Sequence, residues 1–322
     1  MELYDIPPSK MLIDLSSRAK FRVVGEDRFR FLNGQLTNDI RQLRTGETIY
    51  ACALTAKGKL SGDLYVTAGE GQFLLDCERS LREGLAARLE RYIIADEVAL
   101  EEITDQFGLL HLLDQAGPEE IPHEVSVARS DRFGELGYDL FYPIRLAPEL
   151  RSRLGTEALT PPQFEQFRIE RGVPVWGAEL TEEVIPGEAA LDDRAVSYTK
   201  GCYLGQEIIS RIKSVGHVNR HLRGLRLLQG EQIPKGAQVA LNDGRIVGKI
   251  TSSCFSVRIG SWIALGLIRR GSDAPGTQLG LKHDSALIGV VEVCRLPFQA
   301  IARSSTSEQK RQIGELPIQP NP

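Results

Sequence analysis

The sequence predicts an α+β protein whose N-terminal two thirds mix helices with strands and whose C-terminal part is a small β-barrel. Short strand-like runs precede an amphipathic helix, a well-capped helix begins at Thr160-Pro161, and residues 222–300 contain only short strands separated by turns. The chain has 322 residues, enough for two or three domains with sizeable cores. We expect one α+β region over 1–215, a barrel over 216–300 and a disordered polar tail over 301–322.

Composition and charge exclude several classes of protein. Hydrophobic residues make up 42% of the chain and charged residues 25%, which excludes a mostly disordered chain, a coiled coil and a collagen-like fibre. The 39 basic and 43 acidic residues give a net charge of -4, which argues against stable nucleic-acid binding. No window approaches the roughly 20 consecutive apolar residues of a membrane-spanning helix, so we expect no membrane partner.

The cysteines and the N-terminus indicate a reducing compartment. The 5 cysteines are odd in number and contain no CxxC pair, so the sequence predicts neither a disulfide framework nor a zinc ribbon. Residues 1–10 lack the apolar core of a signal peptide. His217 and His221 have a helical metal-ligand spacing, but lost periodicity around Asn219 predicts a linker instead. We therefore expect a cytoplasmic protein without a metal site.

The first half of the chain alternates short strands with short helices. A helix is predicted over 26–32, ended by Asn33-Gly34, and the clearest amphipathic helix is expected over 78–93. Turns at 57–59 and 69–71 join three strands into an antiparallel meander. The predicted strands are 21–24, 48–54, 60–67, 73–75 and 137–142.

The second half begins with a helix and ends in strands. Thr160 as the N-cap and Pro161 at the first helical position predict a helix start, and Gly172 predicts its end. Residues 173–199 lack periodicity, and such long irregular stretches are often functional. Strands are predicted over 239–241, 245–252, 262–268 and 287–293, with a hairpin turn at Asn242-Asp243-Gly244.

The most informative segment is Lys200-Gly201-Cys202-Tyr203-Leu204-Gly205-Gln206-Glu207, which is expected to open a helix over 203–212. Cys202 would then lie at a helix N-terminus, two residues from Lys200, and both features lower the pKa of a thiol. The neighbouring glycines would allow a ligand to approach the backbone closely. The alternative is a small apolar residue buried at a helix start, because no nearby His–Asp pair completes a protease-type site.

This segment closely resembles the cysteine signature of the YgfZ family, whose members are folate-binding proteins similar to the aminomethyltransferase, or T-protein, of the glycine cleavage system. The resemblance spans roughly residues 12 to 270, with the further segments in the same order. They are Phe31-Leu32-Asn33-Gly34-Gln35-Leu36-Thr37-Asn38-Asp39, Ala56-Lys57-Gly58-Lys59, Arg168-Ile169-Glu170-Arg171-Gly172-Val173-Pro174, and Gly248-Lys249-Ile250-Thr251-Ser252 with Ala264-Leu265-Gly266.

The resemblance implies a T-protein-like folate-binding fold, in which two interleaved α+β subdomains are followed by a small β-barrel. Tetrahydrofolate, or a folate derivative, would lie in a cleft between these parts. The implied role is the assembly and repair of iron–sulfur proteins, with tRNA modification as a linked process and with iron–sulfur client proteins or their assembly machinery as partners. The implied catalytic residues are Cys202 and Asp63, and the implied cofactor-binding residues are Glu170, Lys200, Gly201, Tyr203, Gly205, Gln206 and Asn38.

Glu170 occupies an unusual place for a carboxylate. It falls in the last turn of the helix that begins at Thr160-Pro161, where the helix dipole disfavours an anion by ~0.3–1 kcal/mol. In the T-protein family the matching glutamate holds the pterin ring, whose amino and N–H donors suit a carboxylate. The alternative is a surface glutamate paired with Arg168 or Arg171.

Asp63 follows Gly62 at a position where aminomethyltransferases have two adjacent aspartates, so this sequence keeps only the second. The departure puts aminomethyl transfer in doubt without excluding it. Asp63 is either a carboxylate of the site or an ordinary solvent-facing strand residue, and the sequence does not separate the two.

Three features have simpler interpretations. Trp176 and Trp262 are expected in the core or in a pocket wall. The segment Lys57-Gly58-Lys59 is expected to be a turn, with a contact to phosphate or to a polyglutamate as the alternative.

Two functions follow from the resemblance. The first is a tetrahydrofolate-binding accessory factor for iron–sulfur proteins; a single thiol cannot hold a cluster that takes four cysteine ligands. The second is an aminomethyltransferase that makes methylenetetrahydrofolate from a lipoyl-bound aminomethyl group. A third relation, to demethylases or sarcosine oxidases, lacks support for a flavin domain because no GxGxxG segment is present.

Overall fold

The computed structural model describes residues 10–114 and 116–299, so the polar tail expected over 301–322 lies outside the described residues. In chain order the strands are β1 Met11–Asp14, β2 Ala19–Val24, β3 Thr48–Leu54, β4 Leu60–Gly69, β5 Gln72–Cys77, β6 Ala99–Glu102, β7 Phe107–Leu113, β8 Ser126–Ser130, β9 Gly137–Pro143, β10 Arg220–Gln229, β11 Gln238–Ala240, β12 Ile246–Ser256, β13 Ser261–Arg269, β14 Gln278–His283 and β15 Ala286–Cys294. The helices are α1 Arg28–Gln35, α2 Arg82–Glu90, α3 Ala147–Leu154, α4 Pro161–Arg171, α5 Asp192–Ala195 and α6 Gln206–Val215. Within these residues, no helix is long and apolar enough to cross a membrane.

Two antiparallel sheets in the N-terminal region are interleaved in sequence. The first sheet has the order β1-β7-β9-β8, so residues 11–14 complete a sheet otherwise formed by residues 107–143. The second sheet has the order β3-β4-β5-β2-β6 and comes from the intervening residues 19–102. This arrangement confirms the interleaved α+β fold, and β3-β4-β5 is the meander that the turns predict.

The C-terminal strands form a closed six-stranded barrel with the order β10-β13-β12-β11-β14-β15. Its interior is filled by aliphatic side chains, among them Leu225, Val239, Ile250, Leu281 and Val291, which are essentially inaccessible to solvent. The barrel therefore agrees with the sequence prediction. Strand β14 was missed because its short sequence, with a central glycine and a lysine, has little strand propensity.

Two helices differ from their predicted lengths. Helix α1 continues through Asn33-Gly34 to Gln35, because a helical glycine costs only about 1 kcal/mol. The helix expected over 78–93 is shorter: a 3₁₀ turn over Arg79–Leu81 leads into α2, which ends at Glu90. Tyr92 lies beyond that end and is 38% exposed, so it does not share the buried face.

Helix α4 has the predicted ends. Thr160 and Gln163 form a capping box at its start, and Gly172 ends it in the left-handed conformation with φ +71°. Residues 173–199 are mostly irregular, with a 3₁₀ turn over Pro186–Ala189 followed by α5. Their aliphatic side chains, including Leu180 and Leu191, are buried, so the segment is packed against β3 and β4.

A buried ion network joins the two sheets. Arg132, in the loop before β9, donates from its terminal nitrogens to both oxygens of Asp76 on β5, at 3.0 and 2.5 Å. Its Nε donates to Asp139 on β9 at 2.7 Å, and His111 Nδ1 lies 2.7 Å from the same Asp139 oxygen. Arg18 Nε adds a further bond to Asp76 at 2.5 Å. One guanidinium therefore bridges the second sheet to the first.

Replacing Arg132 with leucine should destabilise the protein by about 3–5 kcal/mol, because it leaves two buried carboxylates without their main counter-charge. Urea unfolding measures the change. Arg145→Leu is the matched control, since Arg145 is 60% exposed and pairs with Glu124 at the surface, where an ion pair is worth about 0–1 kcal/mol. Equal, small losses in both variants would contradict the bridging role of Arg132.

Candidate functional site

A pocket of about 410 Å³ lies between the two N-terminal sheets, closed on one side by α4 and residues 173–176. Its walls are mostly apolar. Asp63 and Glu78 come from the second sheet and its connections, Asp14 and Arg132 come from the first, and Arg18 lies in the connection between the two. Among the described residues that line it, none belongs to the barrel. The barrel packs against α4 around Ile169 and Leu222, away from this pocket, and a separate hollow lies between the barrel and Glu188. A folate cleft between the α+β region and the barrel therefore stays a prediction.

Asp63 is buried at the polar end of the pocket and is 6% exposed. Its Oδ2 accepts a hydrogen bond from the Tyr50 hydroxyl at 2.8 Å, while its Oδ1 is buried and has no hydrogen-bond partner within the described part of the chain. Burial raises the pKa of this carboxyl, although the positive charge of Arg18 opposes the shift. A buried, unpaired acceptor costs about 1–3 kcal/mol, which points to a donor supplied by a ligand.

The geometry of β4 shows which position of the aspartate pair of the aminomethyltransferases faces the pocket. Successive side chains of a strand point to opposite faces, so Gly62 and Asp63 face different layers. A side chain at Gly62 would point at Leu81 and Leu85 in the helical layer, with its Cβ 3.4 and 3.8 Å from them, whereas Asp63 lines the pocket. The retained aspartate is thus the one that faces the pocket. The alternative of a solvent-facing Asp63 is wrong, because the residue is buried.

Aromatic rings form one wall of the pocket. The rings of Tyr50 and Tyr65 stack with their centroids 4.5 Å apart. The guanidinium of Arg132 lies over the Tyr65 ring, 4.0 Å from its centroid. The Tyr65 hydroxyl donates to the Arg132 carbonyl at 3.1 Å, which fixes the stack. Phe133 and Trp176 line the pocket as well, so Trp176 lies in a pocket wall as predicted.

Glu170 lies at the contact between α4 and the barrel and is absent from the pocket wall. Its Oε1 accepts hydrogen bonds from Gln166 at 2.9 Å and Ser256 at 2.6 Å, and its Oε2 accepts one from Arg258 Nε at 2.8 Å. Glu170 is therefore paired with the barrel and does not face this pocket, and its role in holding the pterin stays a prediction. The unfavourable helix-end position is offset by the Arg258 charge and the Ser256 hydroxyl, which fasten α4 to the barrel.

Cys202 lies in an exposed loop, three residues before Gly205, the N-cap residue of helix α6. Helix α6 begins at Gln206, with Gly205 at the N-cap in a left-handed conformation, φ +87°. Neither interpretation of Cys202 is met, because the thiol is outside the helix terminus and is also not buried. By contrast, burial raises the pKa of Cys77 to about 12 and likewise raises the pKa of the strand residue Cys52.

Lys200 is directed away from the thiol and into the protein. Its Nζ donates to the carbonyl oxygens of Asn33, Leu36 and Asn38 at 2.7, 2.6 and 2.7 Å. Burial lowers its pKa to about 8, since only part of the lost hydration is replaced. The lysine thus caps the end of α1, so the expectation that it activates Cys202 is corrected.

The other predicted binding residues support the scaffold beside the pocket. A Cβ at Gly205 would lie 2.6 Å from the Thr55 carbonyl, so the close approach of the backbones requires glycine. Tyr203 is buried, and that burial raises its pKa to about 12. Asn38 Nδ2 donates to the Tyr50 carbonyl at 2.9 Å and so supports the pocket strand. Gly201 is exposed, Gln206 is half-buried, and neither is among the lining residues.

The histidine pair does not form a metal centre. His221 Nδ1 lies 2.8 Å from Asp273 Oδ2, whereas His217 is exposed in the linker before β10. In the portion of the chain that is described, no group of three or more His, Cys, Asp or Glu side chains could hold a metal ion.

Four pocket residues were missed from the sequence. Tyr50 and Tyr65 face each other across β3 and β4, and Asp63 and Tyr65 share a face at i, i+2. That alternation of polar and aromatic side chains in a buried strand was the available signal. Arg18 and Arg132 lie in connections between strands, and no sequence pattern marks them.

Both ends of the chain match family models. Residues 6–120 match the GCVT N-terminal domain, and residues 220–299 match the glycine cleavage T-protein C-terminal barrel domain. The protein therefore carries both domains of the T-protein and is T-protein-like.

Relatives and a solved structure agree with this assignment. The chain is 23% identical over 319 residues to an aminomethyltransferase of Synechocystis sp., covering 90% of this chain and 85% of that protein. It is 27% identical over 290 residues to an aminomethyltransferase of Desulfitobacterium hafniense, covering 80% and 78%. The crystal structure of the glycine cleavage system aminomethyltransferase T from Bartonella henselae superimposes with a TM-score of 0.80 at 22% identity, covering 92% and 88% of the two chains, which shows the fold.

Replacing Asp63 or Asp139 with asparagine should change the free energy of unfolding in opposite directions. Asp63 has a raised folded-state pKa, so its ionised form is unfavourable at neutral pH, and Asp63→Asn should stabilise the protein by about 0.5–2 kcal/mol. Burial alone would raise the pKa of Asp139, but Arg132 and His111 hold it below its ordinary value. Asp139→Asn should therefore destabilise the protein at neutral pH by about 3–5 kcal/mol.

Thermal unfolding between pH 4 and pH 8 tests both signs. The stability gained in Asp63→Asn should shrink as the pH falls from 8 to 4, because protonation of the wild-type carboxyl removes the same charge. The stability lost in Asp139→Asn should persist across this range, because the lowered pKa of Asp139 keeps its folded-state carboxylate ionised. An Asp63→Asn variant less stable than the wild type at neutral pH would show that the carboxylate is not under strain.

Proposed function

We propose that this T-protein-like chain binds tetrahydrofolate in the pocket between its two N-terminal sheets and transfers a one-carbon unit there, as an aminomethyltransferase does. Relatives that carry the name aminomethyltransferase match most of the chain. The observation that carries the proposal is Asp63, which lines the pocket and whose buried Oδ1 has no partner among the described residues.

The pocket fits a reduced pterin. Its volume of about 410 Å³ lies within the ~300–1,000 Å³ typical of small-molecule sites, and its stacked tyrosines suit a flat ring. The amino and ring N–H groups of a pterin are donors, which matches the unpaired acceptor of the pocket residue Asp63, its Oδ1. Asp63 would hold the ring, and the rings of Tyr50, Phe133 and Trp176 would position it.

Bound tetrahydrofolate supplies the amine nitrogens that accept a one-carbon unit. Asp63 contributes a carboxyl whose pKa is raised by burial, so that it takes up a proton more readily than an exposed aspartate. The Tyr50 hydroxyl fixes the carboxyl through Oδ2 and leaves Oδ1 to exchange the proton. The apolar walls around Phe133 and Phe164 exclude water, which strengthens these interactions.

Replacing Asp63 with asparagine should weaken tetrahydrofolate binding about 10- to 150-fold, since a hydrogen bond to a charged acceptor is worth ~1.5–3 kcal/mol. Formation of methylenetetrahydrofolate from a lipoyl-bound aminomethyl donor should fall by about 10²–10⁴-fold, the usual contribution of a general acid–base group. Anaerobic calorimetry measures the affinity, and the product is quantified in single-turnover reactions.

Two variants serve as controls. Glu170→Gln should leave the affinity unchanged, because Glu170 contacts Ser256 and Arg258 rather than the pocket. Asp284→Asn makes the same chemical change at a side chain that is 93% exposed in the barrel. Wild-type affinity in Asp63→Asn, together with weak binding in Glu170→Gln, would return the folate site to Glu170.

Cys202 favours a second candidate, a tetrahydrofolate-binding accessory factor in the assembly or repair of iron–sulfur proteins in the cytoplasm. Its thiol is exposed, whereas Cys52 and Cys77 are buried. The loop that carries it is held on one side by the Lys200 bonds to α1 and on the other by the Gly205 contact with Thr55. A fixed, exposed thiol suits contact with a client protein or its assembly machinery.

A deletion strain separates the two candidates. It is complemented with the wild type, Asp63→Asn or Cys202→Ser, and both glycine cleavage and several iron–sulfur enzymes are assayed. Aminomethyl transfer predicts that Asp63→Asn loses glycine cleavage while Cys202→Ser retains it, because the thiol lies outside the pocket. Normal iron–sulfur enzymes in the deletion strain would exclude the accessory factor, and their loss with normal glycine cleavage would exclude the transferase.

A further inference from the structure

A second hollow, of about 570 Å³, lies where the outside of the barrel meets the 3₁₀ turn over Pro186–Ala189, and we name it the barrel hollow. Aliphatic side chains in its lining include Ile246, Val247 and Leu267, and Glu188 lines it from the turn. Among the described residues, none lines both this hollow and the pocket between the two N-terminal sheets. The barrel hollow is therefore separate from the proposed tetrahydrofolate site.

Three cationic side chains line the barrel hollow, and they are Arg220 on β10, Arg269 on β13 and Lys249 on β12. Arg220 and Arg269 are directly opposed across their two strands, which places their Cβ atoms about 4.5–5.5 Å apart. Lys249 is opposed to Leu267, which lies two residues before Arg269 on the same face of β13, so the Cβ atoms of Lys249 and Arg269 are about 7 Å apart. The three positive charges are therefore gathered in one small area of the barrel surface.

The protein compensates the charge of Arg220 alone. Glu188 accepts hydrogen bonds from Arg220 Nε at 2.9 Å and from its terminal nitrogen at 3.2 Å, so both carboxylate oxygens are bound to this guanidinium. The side chains of Arg269 and Lys249 are exposed and have no hydrogen-bond or ion-pair partner within residues 10–114 and 116–299. Like charges directly opposed on neighbouring strands destabilise a sheet. The half-neutralised pair of Arg220 and Arg269 therefore favours an anion from outside the chain.

A phosphate group matches this arrangement better than a carboxylate does. Near neutral pH a phosphate ester carries about −1.5 to −2 charges and three strong acceptor oxygens, so it can bind cations that approach from several sides. A carboxylate carries one charge and two oxygens in one plane, which a single guanidinium can satisfy. Because Arg220, Arg269 and Lys249 come from three adjacent strands, they can contact one anion from different directions.

We propose that the barrel hollow binds a small organic phosphate, whose phosphate group is held by Arg269 and Lys249. The volume of the hollow lies within the ~300–1,000 Å³ typical of small-molecule sites, so it has room for more than the phosphate. The exposed amides of Asn219 and Gln238 line the same hollow and would form hydrogen bonds with polar atoms of the organic part. Leu267 would contact its apolar atoms.

Inorganic phosphate is the probe, titrated into the full-length protein at low ionic strength and followed by NMR. The Nε–H signals of Arg220 and Arg269 and the backbone amide signal of Lys249 should shift and saturate together. Succinate, a dianion that lacks the tetrahedral phosphate, should bind more weakly. Arg269→Gln should weaken phosphate binding about two- to fivefold, the range of one exposed charge pair, and adding Lys249→Gln should weaken it further.

Arg270→Gln is the matched control, because Arg270 follows Arg269 in the chain, is exposed and is absent from the lining of the hollow, yet its substitution removes the same charge. It should leave the affinity for phosphate unchanged. Equal losses of affinity in Arg269→Gln and Arg270→Gln would indicate a general attraction of anions to this surface and would overturn the proposal. Equal affinities for succinate and phosphate, or shifts that do not saturate, would overturn it as well.

Tetrahydrofolate separates the barrel hollow from the pocket. In the wild type it should leave the Arg269 signal unshifted, because Arg269 is absent from the lining of the pocket. A shift of that signal with tetrahydrofolate, together with no response to phosphate, would assign the barrel hollow to the folate and overturn the phosphate site.

Discussion

The guanidinium of Arg132 is the point at which the two N-terminal sheets are joined. It donates to Asp76 from the second sheet and to Asp139 from the first, and all three side chains are at most 1% exposed. Charges buried this deeply are tolerated only when each is paired, so the geometry of the two sheets is tied to the geometry of the network. The same guanidinium also lies over the ring of Tyr65, and that ring stacks on Tyr50. The aromatic wall of the pocket therefore depends on the contact between the two sheets.

Against this background Asp63 is the exception. Asp76 and Asp139 are buried with arginine partners, whereas Asp63 receives one hydrogen bond, from a neutral tyrosine. Asp63 Oδ1 and Asp139 Oδ2 both lack a partner among the described residues, but of the two residues only Asp63 lines the pocket. Carboxyl groups in neighbouring environments that move their pKa values in opposite directions are typical of catalytic and binding sites. The paired carboxylates, Asp76 and Asp139, do not line the pocket, whereas Asp63 does.

Local signals in the sequence were sufficient for several elements. The capped ends of α4, the glycine turns of the meander and the short strands of the barrel depend on neighbouring residues, and each was predicted. The site depends on distant residues. Glu170 is paired with Arg258, 88 positions away, and Lys200 with the carbonyl of Asn33, 167 positions away. No periodicity reveals such contacts, so the sequence could not show that both side chains have partners within the protein.

A crystal structure of the protein with tetrahydrofolate tests the central claim most directly. The account predicts electron density for the pterin between the two N-terminal sheets, with a ring N–H or amino group within about 2.7–3.2 Å of Asp63 Oδ1. The ring should stand beside Tyr50 and Phe133, with Glu170 still bonded to Arg258. Density for the pterin at the contact between α4 and the barrel, with Asp63 Oδ1 still unpaired, would contradict the account.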